Sequence, residues 1–438
     1  VETRPVAIVG GGYSGTMLAV RLAERGQQSI LINRTPDFGL GVAYSTPFDG
    51  HRLNVRSARM SAVADDPGEF VRWLEVHHPE WAEPDGFAPR RLFGLYVQDR
   101  LERAATAFPG RIERVVAEVV SIEREGVTLR DGRRLAARAV ILATGNPAPK
   151  TTRRDAGTSD HRIVSDPWAP GALNVIRQYD DILILGTGLT MVDMVLVLEG
   201  RGWRGRATAV SRRGLMPRAH HLTADAIAPP DEQMTAGPLS RRVAAARRRA
   251  RAVGWRTMME GLRPVTSALW RDADVPTRSR IVRHLRPWWD VHRHRIAPEV
   301  AAVMYRLLSD QRLTLAAGRI GKVASDERDV VLHWTPRHGP PQPPKVASWA
   351  IDCTGPGHDP AGDALTSPLI AAGRVRLDAL ELGLDLDDQG RALNAQGRAD
   401  PALFVLGPPS RAAFWESIAV PDIRQRIETI VEALAPPS

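Results

Sequence analysis

Residues 5–33 read PVAIVGGGYSGTMLAVRLAERGQQSILIN, and the fold turns on them. Val6, Ala7, Ile8 and Val9 form a short apolar run, as a strand buried on both faces requires. Gly10, Gly12 and Gly15 follow as G-x-G-x-x-G. The first permits a tight turn, the second leaves bare backbone for a pyrophosphate, and the third lets the next helix approach the strand. That helix is expected from about Ser14 to Arg25, with its free amides and positive dipole end facing the phosphates. Gly26 suits its end, and Ser29–Ile32 is a second apolar strand. Strand, glycine turn, helix and strand in this order mark a dinucleotide site, with Tyr13 and Ser14 on the turn. An acidic residue usually holds the ribose at the end of the second strand. Asn33 stands there instead, followed by Arg34, with Asp37 as the fallback.

The pattern returns at Asp181, in DILILGTGLTMVDMVLVLEG. Ile182–Leu185 reads as a strand, Gly186 and Gly188 as the turn, and Leu189–Glu199 as a helix, with Leu189 and Thr190 at its start. Met191 replaces the third small residue. The next strand, Ala207–Val210, ends in Ser211-Arg212-Arg213. A nucleotide without a 2′-phosphate wants an acid there. A serine and two arginines suit the 2′-phosphate of NADPH through charge-assisted hydrogen bonds.

Two further strands end alike: Ala139–Leu142 runs into Ala143-Thr144-Gly145, and Trp349–Asp352 into Cys353-Thr354-Gly355. A small Thr and a Gly at a strand end let the backbone approach a bound dinucleotide. Thr144, Gly145, Asp352, Thr354 and Gly355 therefore join the expected cofactor contacts.

The 438 residues allow two or three domains with full cores, and the 43% hydrophobic fraction is ordinary for a globular chain. The reading is α/β, with two Rossmann-like domains: residues 1–165 and 351–438 form the first, and 166–350 the second, with a helical insertion at about 222–312. No apolar run reaches the ~20 residues of a membrane span, and no leader pattern is read, so the cytoplasm is the expected compartment and no membrane partner is expected. Cys353 is the single cysteine, which excludes a disulfide framework, a thiolate zinc site and a dithiol relay within the chain; no metal is expected. The net charge of +9 comes almost wholly from arginine and favours anionic cofactors and substrates. The densest run, Arg241–Arg256, lacks the interleaved aromatics of a nucleic-acid site and reads as a solvated helix face.

Gly39, Gly41, Pro47 and Gly50 mark a long loop, and His51, Asn54, Arg56, Arg59 and Met60 follow it. Asn54 and Met60 are read as cofactor contacts, and His51, Arg56 and Arg59 as candidates to grip a substrate carboxylate. His292 and His294 lie in RPWWDVHRHRIAP, a poor metal pattern, and His294 is assigned to the substrate pocket. Near the C-terminus, Trp415 precedes a last helix from Pro421.

Together these phrases resemble the FAD/NAD(P)-binding oxidoreductases in which an NADPH domain is inserted into an FAD domain. GVAYSTPFDGHRLNVRSARMSAVADDPGEFVRWL, ILGTGLTMVD, SRRGLMPRAH, WDVHRHRIAP, IDCTGP and FWESIAVPDIR resemble one subgroup of single-component flavoproteins, which includes flavin N-monooxygenases that make nitrosuccinate from aspartate. The resemblance implies FAD and NADPH as cofactors, molecular oxygen as co-substrate, and a C4a-(hydro)peroxyflavin that oxygenates a small anionic or zwitterionic substrate. It places the first turn and Trp415 with FAD and the second turn with NADPH. Hydroxylation of a purine-like ring, an FAD-dependent NADPH reductase or dehydrogenase, and a cofactor-binding regulatory protein are the alternatives. A homo-oligomer is left open.

Overall fold

The computed structural model describes residues 4–147, 161–355, 360–415 and 417–435. The polar stretch Thr151–Asp160, read as a linker, lies outside them.

The apolar runs of the sequence become the centres of two sheets. In the first, the order is Arg391–Leu393, Ala399–Val405, Ala139–Leu142, Val6–Val9, Ser29–Asn33, Ile112–Val116. All neighbours are parallel except the outermost pair, Arg391–Leu393 and Ala399–Val405. Alternate residues face opposite sides of a strand. Val6 and Ile8 therefore pack with Met17, Leu18, Phe70, Phe93 and Ile427, whereas Ala7 and Val9 pack with Val127, Leu129 and Phe414. Burial on both faces explains why these strands read as unbroken apolar runs. The second face is covered in part by a three-stranded antiparallel sheet, Val119–Glu123, Gly126–Leu129 and Arg134–Ala136.

The second sheet has the order Lys345–Ala347, Val330–Pro336, Leu313–Ser325, Ala207–Ser211, Ile182–Leu185, Trp349–Asp352, Ile163–Val164. Its first three strands are antiparallel and the rest parallel. Ile184 and Leu185 again point into different cores. Ile163–Val164 pairs with Trp349–Asp352, so both belong to this sheet. That pairing carries the second unit a few residues beyond the sequence boundaries at 165/166 and 350/351. The chain returns to the first sheet at Ala399–Val405 and ends in the helix Val420–Ala433, whose Ile423 and Ile427 pack on the helix Tyr13–Glu24 side of that sheet.

Between Ala207–Ser211 and Leu313–Ser325 lies the helical insertion, with helices at Leu239–Val253, Trp255–Leu262, Arg286–Arg293 and Pro298–Ser309 among others. Residues 222–231 are irregular, so the helices start about ten residues later than the sequence suggested. Helix Leu239–Val253 buries only Ala245; Arg241, Arg247, Arg248 and Arg251 are exposed, whereas Arg242 is half-buried and donates to the Met234 carbonyl. Among the described residues, no helix is long and apolar enough to cross a membrane.

Candidate functional site

The two glycine turns are built alike. Val9 is in register with Leu142 and Ile32, and Leu185 with Asp352 and Val210, so each turn leaves the carboxyl end of a central parallel strand. Ligands of open parallel sheets bind at those ends. Gly10 has φ of +116° and Gly186 +106°, a region that only glycine occupies without strain. A Cβ on Gly10 would stand 2.2 Å from the Ala143 oxygen, and one on Gly186 2.4 Å from the Cys353 oxygen. Gly15 is equally constrained: its Cβ would meet the Gly10 oxygen at 1.9 Å. Met191, five residues after Gly186 as Gly15 is after Gly10, is fully buried, so helix Leu189–Gly200 stands off its turn by a side chain.

The second glycine of each turn has room on its open side. A Cβ on Gly12 would touch only Gly41 Cα, at 3.5 Å, and one on Gly188 would meet nothing within 4 Å. Both are helix N-caps without a side-chain cap, for helices Tyr13–Glu24 and Leu189–Gly200. The first-turn amides are thus left to an anion. Facing each turn, Thr144 and Thr354 are exposed, and Gly145 and Gly355 adopt φ of +75° and +91°. Asp352 is buried and accepts from the Thr354 amide at 3.0 Å and its hydroxyl at 2.6 Å, which fixes that strand end. Each cradle has the shape that a dinucleotide pyrophosphate requires.

Several other expected cofactor contacts lie near these turns. Tyr13 carries a buried hydroxyl with no hydrogen-bond partner among the described residues, and it packs against Tyr44 and Phe93. Ser14 lies against the C-terminal segment, its Oγ 2.7 Å from where a Cβ on Gly407 would stand. Asn33 sits beside the first turn: its Oδ1 accepts from the Gly11 amide at 3.2 Å, and its Nδ2 donates to the Thr35 carbonyl at 3.0 Å. Leu189 and Thr190 are half-buried at the start of their helix. Ser211 Oγ lies 2.8 Å from Thr187 Oγ1 and accepts from the Gly214 amide at 3.0 Å, so it closes the turn. Arg212 is exposed, and the Arg213 guanidinium stands 5.8 Å from the Trp288 ring centre.

The expected substrate ligands fare differently. His51 is buried and joins the two units. Burial holds its imidazole below the usual range, hence neutral; Nε2–H donates to the Asp193 carbonyl at 3.1 Å, and Nδ1 accepts from Thr46 Oγ1 at 2.7 Å. Arg56 is also buried. Its Nη atoms donate to the carbonyls of Asp85, His221, Leu222 and Thr223. In this arrangement both side chains serve the scaffold, and their donors are committed. Arg59 pairs with Glu260 at 2.8 Å. His294 lies among charges: burial, then Arg293, Arg411, Arg263 and Arg286, bring it down to about 3. Asn54 presents its backbone carbonyl to His220 Nε2–H at 3.0 Å, and Met60 is buried in the first core.

Sequence reading missed the residues that tie these parts together. Arg90 donates through both Nη atoms to the Asp193 carboxylate, at 2.8 and 3.1 Å, and joins helix Arg90–Ala107 to helix Leu189–Gly200. Asp193 stood in a quoted phrase, but nothing there named its partner 103 residues away. Glu260 accepts from Arg59 and Arg295. Burial raises its carboxyl, but the Arg59 hydrogen bond and the Arg295 charge outweigh that and hold it at about 2. Trp270 lies with its ring centre 4.4 Å from that of Trp415, the planes tilted by 36°, and donates through Nε1 to the Ala412 carbonyl at 2.8 Å. A groove of about 550 Å³, lined by Phe48, Glu199, Arg306 and Arg312 among others, lies at the far end of helix Leu189–Gly200. At ~1.5 Å per residue its Glu199 end lies about 17 Å along the helix from Gly188.

Residues 7–147 match a family model described as FAD-NAD(P)-binding. This part of the chain is therefore similar to FAD/NAD(P)-binding domains. The fold extends the likeness to nearly the whole chain. The cadaverine monooxygenase of Erwinia amylovora, solved with FAD, has a TM-score of 0.68 at 12% identity, over 99% of this chain and 94% of that one. L-lysine 6-monooxygenase from Pseudomonas syringae gives 0.65 at 16%, over 98% and 99%. Reduced ornithine hydroxylase from Pseudomonas aeruginosa gives 0.64 at 16%, over 99% and 98%. The chain thus has the two-domain fold of FAD/NAD(P) flavoproteins. Among its described residues, no group of three His, Cys, Asp or Glu could hold a metal.

Proposed function

We propose that this chain is an NADPH-dependent flavin monooxygenase that inserts one atom of molecular oxygen into the amine of a small amino acid, with aspartate as the candidate substrate. The observation that carries the reading is the pair of matched glycine turns on two sheets of one chain. One lies in an FAD/NAD(P)-binding domain, and the other is followed by Ser211-Arg212-Arg213. When bound, FAD would accept hydride from NADPH and then activate oxygen. The helix amides after Gly12 and Gly188 would hold the two pyrophosphates, and Arg212 and Arg213 the 2′-phosphate. Arg90, Asp193 and His51 keep the two units in register, so that the reacting ends of the nucleotides meet. The first turn of helix Val420–Ala433 would face the flavin, where its dipole favours negative charge.

Cys353 separates this reading from a disulfide reductase. It is the only cysteine of the chain, it is buried, and burial pushes its thiol up, so no thiol pair can pass electrons onward. The fold neighbours named as an ornithine hydroxylase, an ornithine N-hydroxylase, a lysine 6-monooxygenase and a cadaverine monooxygenase support an amine as the oxygen acceptor. The test is oxygen uptake by FAD-reconstituted protein with NADPH. L-aspartate should raise uptake and yield N-oxygenated product in proportion to NADPH consumed. NADPH oxidation at the same rate without oxygen, with no product, would reject the monooxygenase.

A further inference from the structure

The groove of about 550 Å³ lies at the opposite end of helix Leu189–Gly200 from the Gly188 turn, and none of the expected nucleotide contacts lines it. Three arginines on its wall share one carboxylate. Glu199, 9% exposed, pairs with Arg306 at 2.9 Å and with Arg312 at 2.6 Å. Arg312 is spent on the protein: it also donates to the Trp203 carbonyl at 2.7 Å and the Gly205 carbonyl at 3.3 Å, and it lies over the Trp203 ring. Arg306 is exposed, at 52%, and gives only Nη2 to Glu199. Arg204 is exposed and gives only Nη1, to the Trp203 carbonyl at 3.0 Å. Among the described residues, Glu199 is the only carboxylate that pairs with any of the three. A guanidinium carries five N–H donors in a fixed fork, so Arg204 and Arg306 keep donors at the groove wall.

The facing wall is apolar and comes from the other unit. Phe48 belongs to the loop that precedes His51, and its ring sits in a notch left by two glycines. A Cβ on Gly50 would stand 2.3 Å from that ring, and one on Gly200, at the end of the helix, 2.9 Å from it. The loop is held at several points. The Phe48 amide donates to Thr46 Oγ1 at 3.3 Å, and Asp49 pairs with Arg91 at the start of helix Arg90–Ala107. The Phe48 ring meets the His51 ring edge-on, with centres 5.2 Å apart, and His51 donates to the Asp193 carbonyl. The groove therefore has a charged wall on the second unit and an aromatic wall on the first, beside the contacts that join them.

We propose that this groove is a second ligand site, for an aromatic oxyanion: a carboxylate or phosphate head on Arg204 and Arg306, with a ring laid against Phe48. Planar guanidiniums hold such heads through paired, charge-assisted bonds. Leu196 and Val303 extend the apolar bed for the ring, and aromatic pairs gain from offset or edge contact. The volume of about 550 Å³ falls within the ~300–1,000 Å³ of small-molecule sites. An ammonium in place of the oxyanion would face the arginines and be refused. The occupant touches both units, so it binds their joined arrangement and stabilises it by mass action. The proposal needs only the groove and stands apart from the monooxygenase reading.

The test is calorimetric titration of the full chain with benzoate, phenyl phosphate and benzylamine, with and without saturating NADP+. NADP+ fills the nucleotide turn, so binding that persists beside it belongs elsewhere. Benzoate and phenyl phosphate should bind in both conditions and raise the melting temperature, and benzylamine should do neither. The tighter of the two anions names the head group. Arg204→Gln and Arg306→Gln, both at exposed side chains, should each weaken that anion about tenfold or more. Their melting temperatures without ligand should move little, as for surface ion pairs. Arg306→Lys, which keeps the charge but not the fork, should recover part of the loss. Absence of binding by both anions, equal binding of benzylamine, loss of binding under NADP+, or unchanged affinity in both glutamine variants would overturn the proposal. Failure of NADP+ itself to bind would count against the nucleotide reading, and the titration without it would still test the groove.

Discussion

Asp193→Ala tests how the two units are held together. The Asp193 carboxylate is 6% exposed and its Arg90 partner 15%. At separations of 2.8 and 3.1 Å, their gross attraction is about 5–6 kcal/mol for an effective dielectric constant near 20. Desolvation cancels most of that while both partners are present. Removing one partner leaves the Arg90 charge buried without its carboxylate, and the cost is then about 3–5 kcal/mol. The expected result is a fall of about 3 kcal/mol in urea-unfolding stability of the second unit, followed by tryptophan fluorescence, or about 6–12 °C in melting temperature. The double variant Arg90→Met/Asp193→Leu removes both charges and should recover most of the loss, a coupling of about 2–3 kcal/mol. If Asp193→Ala melts like wild type, or if the double variant is as unstable as the two single losses added, the pair does not clasp the units.

Four further outcomes follow from the site. Gly10→Ala should abolish FAD retention, because it forces a side chain into the Ala143 oxygen at positive φ; flavin absorbance after gel filtration reads this. Gly188→Ala, with open space around its Cβ, should leave the melting temperature unchanged and yet weaken NADPH, measured by quenching of protein fluorescence. Arg212→Ala with Arg213→Ala should raise the NADPH Michaelis constant by about tenfold or more, with little effect on NADH, at ~1.5–3 kcal/mol per charge-assisted bond; equal effects would reject the 2′-phosphate assignment. His220 is held at about 3 by burial and by the Arg295 and Arg56 charges, against 6.5 when unfolded. The unfolded chain therefore binds the extra proton, and this stability is whole above pH 6.5 and lost as pH falls toward 3. His220→Gln should flatten that part of the stability profile, and an unchanged slope in urea titrations would show that His220 does not carry it.

The turns were legible because their chemistry is local. Glycine offsets, apolar runs and a repeated Thr-Gly lie within a few residues of one another, and backbone geometry leaves few other sequences for them. The departures were visible too, though not their consequences: Asn33, read as the ribose contact, accepts from the Gly11 amide, and Met191, in place of a third small residue, is buried. The contacts that join distant segments were not legible in the same way. Arg90 and Asp193, or Arg59, Glu260 and Arg295, come from separated segments, and nothing in any one of them names the others. His51 and Arg56 were read as ligands because a histidine and an arginine after a glycine-rich loop suggest a binding mouth. Tertiary contacts instead turn both inward, Arg56 onto carbonyls some 165 residues away. In an arginine-rich chain, residue type is a weak guide to role, and the partner decides it. The boundary at 165/166 moved for a related reason: a two-residue strand, Ile163–Val164, has no periodicity to read and is defined only by its pairing.

The most direct measurement is anaerobic addition of NADPH to FAD-reconstituted protein, followed by the flavin absorbance. FAD should remain bound through gel filtration, and NADPH should bleach the oxidised flavin band, with NADH much less effective at equal concentration. Protein that retains no flavin, or that holds flavin which NADPH does not reduce, would contradict two nucleotide cradles working on one another within a single chain.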